Sequence, residues 1–134
     1  MFKVKKDIKI PEVKDVYIAV VKEPVSETDF SEWNVYIIND KPEDLNIVII
    51  VSQGFSKTKK TSTLRKKIDN LPKKSYAKFE MLHEDLLEMT NQFTISYFQD
   101  NTLFDRTFTL APNSIAEANL NDIPLLESKG ILAE

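Results

Sequence analysis

Seven short runs of β-branched and aromatic residues, each bounded by turn formers, follow one another between residues 16 and 110. A helix would need apolar residues three and four apart over ten or more positions, and such runs leave little room for one. They cover residues 16–22, 33–40, 45–55, 61–68, 75–82, 92–99 and 103–110. The spacing predicts an all-β chain: an antiparallel immunoglobulin-like β-sandwich of about seven strands, with a small closed barrel as the alternative. In 75–82, Tyr76, Lys78 and Glu80 alternate with Ala77, Phe79 and Met81, so one face is expected wet and the other dry.

The connections refine this expectation. Asp40-Lys41-Pro42-Glu43-Asp44 is polar and holds a proline, and it reads as a hairpin joining the second and third runs. Ile47 to Val51 is apolar at every position, as in a central strand covered on both faces. Residues 61–68 have a charged middle suited to a sheet edge, and Asp69-Asn70-Leu71-Pro72 reads as a turn. Gly54 is placed for a bulge, and Asp100-Asn101-Thr102 for a three-residue hairpin loop. A short helix is expected near 83–90. The chain thus divides into an N-terminal arm (1–12), a sandwich domain (13–112), and a tail (113–134) that packs on the domain or on a partner. The apolar tail residues Ile123, Leu125, Leu126, Ile131 and Leu132 are the candidate partner contacts.

Composition removes most chemistry. With no cysteine there is no disulfide scaffold, thiolate zinc site or cysteine nucleophile. One histidine cannot build a histidine metal cage, and two glycines are too few for a glycine-rich phosphate loop. The basic start MFKVKKDIKIPEV lacks an apolar secretory core, and no run reaches the ~18–20 apolar residues that span a bilayer. The cytoplasm is the expected compartment, with no cofactor and no metal.

Charge is unevenly spread. Residues 57–78 hold nine basic side chains against Asp69, hence +8, while 79–134 hold two basic against ten acidic, hence −8. Lys59, Lys60, Arg65, Lys66, Lys67, Lys73 and Lys74 are therefore candidates for an anionic partner. A solvated edge, or pairing with the acidic tail, explains the same residues without any ligand. Only Tyr76 lies within the stripe as a stacking platform, which weighs against nucleic acid.

Other constellations are thin. His83-Glu84-Asp85 could be acid–base equipment, but three consecutive residues diverge, and a helix start explains them better. Asp100 with Asp105, and Glu43 with Asp44, lack the oxygen count of a calcium loop. Ser52-Gln53-Gly54 is not a nucleophile elbow, and Trp33 reads as a core or rim anchor.

The segments EWNVYIIND (32–40), KTSTLRKKIDNLPKKSYAKFEML (60–82), TLFDRTFTLAPNSI (102–115) and IPLLESKGIL (123–132) resemble a family of short, uncharacterised bacterial proteins. The likeness covers nearly the whole chain, and some members carry the label phenylalanyl-tRNA synthetase alpha subunit. The family's motifs carry no known chemistry, so the resemblance implies no catalytic, cofactor or metal residue. A synthetase catalytic subunit must clamp ATP phosphates with arginines on a large antiparallel sheet. This chain has two arginines, Arg65 and Arg106, so the label implies at most a tRNA-handling accessory. The expected function is a non-catalytic binding or adaptor module that holds a protein, quite naturally a second copy of itself. An RNA- or tRNA-binding accessory using the 57–78 stripe is the alternative.

Overall fold

Alternation along each run decides which side chains are buried, and the buried sets then decide how the strands stack. A computed structural model describes residues 11–134, which form eight strands. The arm expected over 1–12 lies outside the described residues apart from Pro11 and Glu12. The strands are β1 (Val16–Pro24), β2 (Ser31–Asn39), β3 (Leu45–Phe55), β4 (Leu64–Leu71), β5 (Ser75–Leu82), β6 (Thr90–Gln99), β7 (Thr102–Leu110) and β8 (Gly130–Leu132). They build two antiparallel sheets of four, ordered β5-β2-β1-β8 and β4-β3-β6-β7.

The sheets meet through their inward faces. Ile18 and Val20 of β1, Val35 and Ile37 of β2 and Phe79 of β5 share one core with Val48 and Ile50 of β3, Phe93, Ile95 and Tyr97 of β6, and Phe108 of β7. Phe79 and Phe93 meet edge to face across the sheets, ring centroids 6.3 Å apart. Each such fully buried side chain stabilises the fold by about 1.5–3 kcal/mol, enough without disulfides.

Several connections differ from the sequence expectation. Residues 40–44 are not a hairpin: β2 and β3 lie in different sheets, and the loop crosses between them. The crossing is held by Asn39, fully buried, whose Nδ2 donates to the carbonyls of Glu43 (3.0 Å), Leu71 (3.2 Å) and Pro72 (3.0 Å). A polar loop between two strands looks the same in sequence whether it turns within a sheet or between two. Asp69, Asn70 and Leu71 belong to β4, and the turn comes later, at Pro72 to Lys74. The β3 bulge falls at Ile47, whose φ is 50°, while Gly54 pairs regularly with Asn91. The β6–β7 loop is the two residues Asp100 and Asn101, both at positive φ (50° and 62°), because Gln99 pairs directly with Thr102. That is the backbone of a type I′ turn, which Asp and Asn tolerate. The helix expected near 83–90 contracts to one 3₁₀ turn, Glu84–Leu86, since Thr90 already begins β6; a second 3₁₀ turn spans Glu117–Asn119.

The tail completes the first sheet. β8 pairs with β1, and Gly130 is required there: a Cβ would lie 2.5 Å from the Val20 carbonyl oxygen. Beyond β8, Ala133 donates to the Ile18 carbonyl (2.9 Å), and Glu134 exchanges backbone hydrogen bonds with Thr109 of β7 (2.7 and 3.0 Å). One side of the sandwich is thereby stitched shut. Among the described residues no helix is long and apolar enough to cross a membrane.

Candidate functional site

The 57–78 basic stretch does not form one continuous stripe. Lys59 and Lys60 lie in the β3–β4 loop, Arg65, Lys66 and Lys67 on β4, and Lys73 and Lys74 in the β4–β5 turn. Lys66 pairs in register with the buried Ile50 and so points inward. Its Nζ donates to the Phe79 carbonyl (2.8 Å) and sits 5.8 Å from the Phe79 ring centroid, bridging the β4 and β5 edges. An inward charge on an edge strand also discourages pairing with another edge. Lys74 donates to the Asp40 carbonyl (2.8 Å) and carboxylate (3.0 Å), and Lys67 lies 3.4 Å from Asp69. The acidic tail meets Lys22 through Glu117, outside the basic stretch.

His83 caps the 3₁₀ turn, its Nδ1 accepting from the Asp85 N–H at 3.4 Å. It borders an open surface groove with Lys59, Lys60, Asp85 and Glu88, and its Nδ1 lies 3.5 Å from the carboxylate of Asp85 in the same turn. Among the described residues no three His, Asp or Glu side chains gather as a metal would require. Trp33 packs partly buried against the core, with Lys22 5.8 Å from its ring centroid.

Glu80 occupies a slot of about 100 Å³ between the sheets, lined by Ser52, Gly54, Thr61, Asn91 and Phe93. That is room for a few waters, well below the roughly 300–1,000 Å³ of an ordinary small-molecule site. Burial pushes the Glu80 carboxyl above its ordinary value, against the opposing pull of the Ser52 hydroxyl and the Lys66 ammonium. The folded chain thus holds this proton more tightly than the unfolded one, so the group favours folding most at acid pH. Its contribution declines as pH rises from the unfolded value toward the raised folded value. Glu80→Gln is therefore expected to raise the melting temperature at neutral pH and leave it unchanged near pH ~3. Thermal melts at the two pH values check this; a loss of stability at neutral pH contradicts it.

The two outer sheet faces are treated differently. On the first sheet, the tail lays Ile123 on Ala19, Val21 and Ile38, with Leu126 beside them. Ile131 enters the main core from β8, while Leu125 and Leu132 remain exposed. A cavity of about 310 Å³ under this tail is lined by Glu23, Tyr36, Tyr76, Leu125 and Glu127. Its Glu23 carboxylate already accepts from Asn34 Nδ2 (2.8 Å) and the Tyr36 hydroxyl (2.7 Å). Burial, and next that hydrogen bond, push Tyr36 up to about 12.

Among the described residues, nothing covers the outer face of the second sheet in this way. Ile47, Phe98 and Leu103 are 46%, 37% and 51% exposed, and Ile49 and Val51 only half-buried. Across the strands one row reads Lys67, Ile49, Ser96, Asp105 and the next Arg65, Val51, Thr94, Thr107. The apolar run Ile47–Val51, expected to be covered on both faces, is covered on only one by the described residues. Sequence reasoning passed over Phe98 and Leu103, although a signal existed: Phe93, Ile95 and Tyr97 alternate inward, which forces the adjacent Phe98 out.

No protein-family model, curated protein or solved structure matches the chain.

Proposed function

We propose that the chain is a non-catalytic, immunoglobulin-like binding module of the cytoplasm that holds a protein partner on the outer face of its second sheet. The observation that carries this reading is the contrast between the faces. Among the described residues, Ile123 and Leu126 cover the centre of one, leaving Tyr76 and Met81 exposed only along its β5 edge, while Ile47, Phe98 and Leu103 stay exposed on the other. Exposed apolar groups gathered on one flat surface favour contact with another protein. The likeness to immunoglobulin domains is supported by strand order: the first, second and fifth strands share one sheet, the third, sixth and seventh the other. The fourth pairs with the third here, where constant-type domains pair it with the fifth.

Leu103→Glu puts a charge beside Phe98, at the β7 edge of the apolar patch, without touching the core. Immobilised wild-type chain is expected to capture proteins from its source-cell extract that the L103E chain does not. An identical captured set from both would overturn the assignment of this face.

The RNA-binding alternative keeps one supporting observation. Lys57, Lys59, Lys60, Arg65 and Lys73 make no ion pair among the described residues. Five phosphate contacts on a single strand would lose affinity by roughly a hundredfold between about 50 and 200 mM salt. Absence of labelled-tRNA retardation at the lower salt eliminates that reading.

A further inference from the structure

We propose that the partner on this face is a second copy of the same chain. The two copies dock sheet to sheet about a two-fold axis parallel to the strands, so that β4 of each lies over β7 of the other. The proposal rests on the reading of this face as a binding surface and goes beyond it by naming the occupant and its orientation.

A closed two-fold contact uses the same patch twice, so the patch must complement itself. Two axes in the plane of the face keep the strands of the two copies aligned, one along the strands and one across them. An axis across the strands would set β4 over β4 running the opposite way, so that Arg65 of one copy faces Lys67 of the other. Like charges so placed oppose docking. An axis along the strands exchanges the edges while keeping each row at its own level. Lys67 and Asp105 stand at opposite ends of one row, with Ile49 and Ser96 between them. The parallel axis therefore lays each Lys67 over the partner's Asp105, twice by symmetry. It also sets β3 over β6. Phe98 pairs in register with Asn46, the neighbour of Ile47, so the exposed Phe98 of one copy meets the exposed Ile47 of the other. Charge layout and apolar layout select the same axis.

Size sets the class of interface. Four strands ~4.8 Å apart, each offering about seven residues at ~3.4 Å, present roughly 450 Å² per copy, or about 900 Å² in all. That is below the ~1,200 Å² of ordinary stable interfaces, and it predicts a weak dimer, with a dissociation constant of order 10–100 µM.

The test is sedimentation velocity of the full chain from about 5 to 300 µM in low salt, a range bracketing that constant. The sedimentation coefficient is expected to rise with concentration. Lys67→Glu and Asp105→Lys should each weaken self-association roughly tenfold, and the double variant should return to within about threefold of wild type. Lys67 also lies 3.4 Å from Asp69 of its own strand, so thermal melts confirm that each variant is folded. If the double variant fails to recover, or Lys67→Glu strengthens association, the orientation is overturned. A strict monomer overturns the dimer. If the monomer's protein capture still depends on Leu103, the binding-face reading survives; if capture ignores Leu103, both fall.

Discussion

Phe93→Ala is expected to lower stability by about 3–5 kcal/mol and the melting temperature by roughly 10–20 °C. Phe93 is 1% exposed on the inward face of β6, and its ring meets Phe79 of the opposite sheet. Removing it deletes the transfer energy of a large side chain and leaves a void that two rigid sheets cannot close. Urea unfolding measures the loss. Phe98→Ala, five residues along the same strand but on the outer face, is expected to change stability by no more than about 0.5 kcal/mol. Similar losses from the two substitutions would mean that the faces of β6 have been assigned wrongly.

Asn39→Leu is the second large effect, at about 3–4 kcal/mol. Its amide donates to three carbonyls, and its Oδ1 accepts from the Lys41 N–H at 3.0 Å. Leucine keeps most of the volume but removes a partner from the Glu43 and Leu71 carbonyls and the Lys41 N–H, while the Pro72 carbonyl keeps the Ser75 hydroxyl (2.6 Å); each group left unsatisfied costs about 1–3 kcal/mol. Amide hydrogen exchange should accelerate at Lys41, and chemical denaturation should report the stability loss. Asn39→Asp does not rescue, since a carboxylate would face three carbonyl oxygens. A loss under about 1 kcal/mol in Asn39→Leu would show that the β2–β3 crossing is held by other contacts.

Strands with one wet and one dry face were legible, because period-two alternation is a direct imprint of the pleat. β5 follows the alternation only from Tyr76 to Phe79; a bulge opposite Val35 and Tyr36 then turns Glu80 inward and leaves Met81, expected on the dry face, 49% exposed, while Phe93, Ile95 and Tyr97 mark the inward side of β6. Edge strands were harder. β4 runs through Asp69 and Asn70, turn formers tolerated because an edge strand is open to water and Asn70 accepts from Asn46 Nδ2 (2.8 Å). β8 is three residues long, too short to show a period, and its place depends on the close approach of Gly130 to β1. Whether consecutive strands share a sheet was not legible at residues 40–44, where the deciding group is one buried asparagine. The exposed face was hidden for a related reason: an apolar run such as Ile47–Val51 looks the same whether a tail covers its outer side or nothing does. The basic stretch could be seen in sequence, but not its dispersal. Only register shows that Lys66 points inward while Arg65 and Lys67 point outward.

The most direct test of the account is a dilution series of amide ¹⁵N–¹H spectra on the full chain between about 20 µM and 1 mM, spanning the expected dimer constant. Concentration-dependent shifts are predicted at Ile49, Val51, Thr94, Ser96, Phe98, Leu103 and Asp105, with Ala19 and Ile38, beneath the tail, unchanged. Spectra that do not vary, or shifts confined to the Lys57–Lys60 loop, would contradict it.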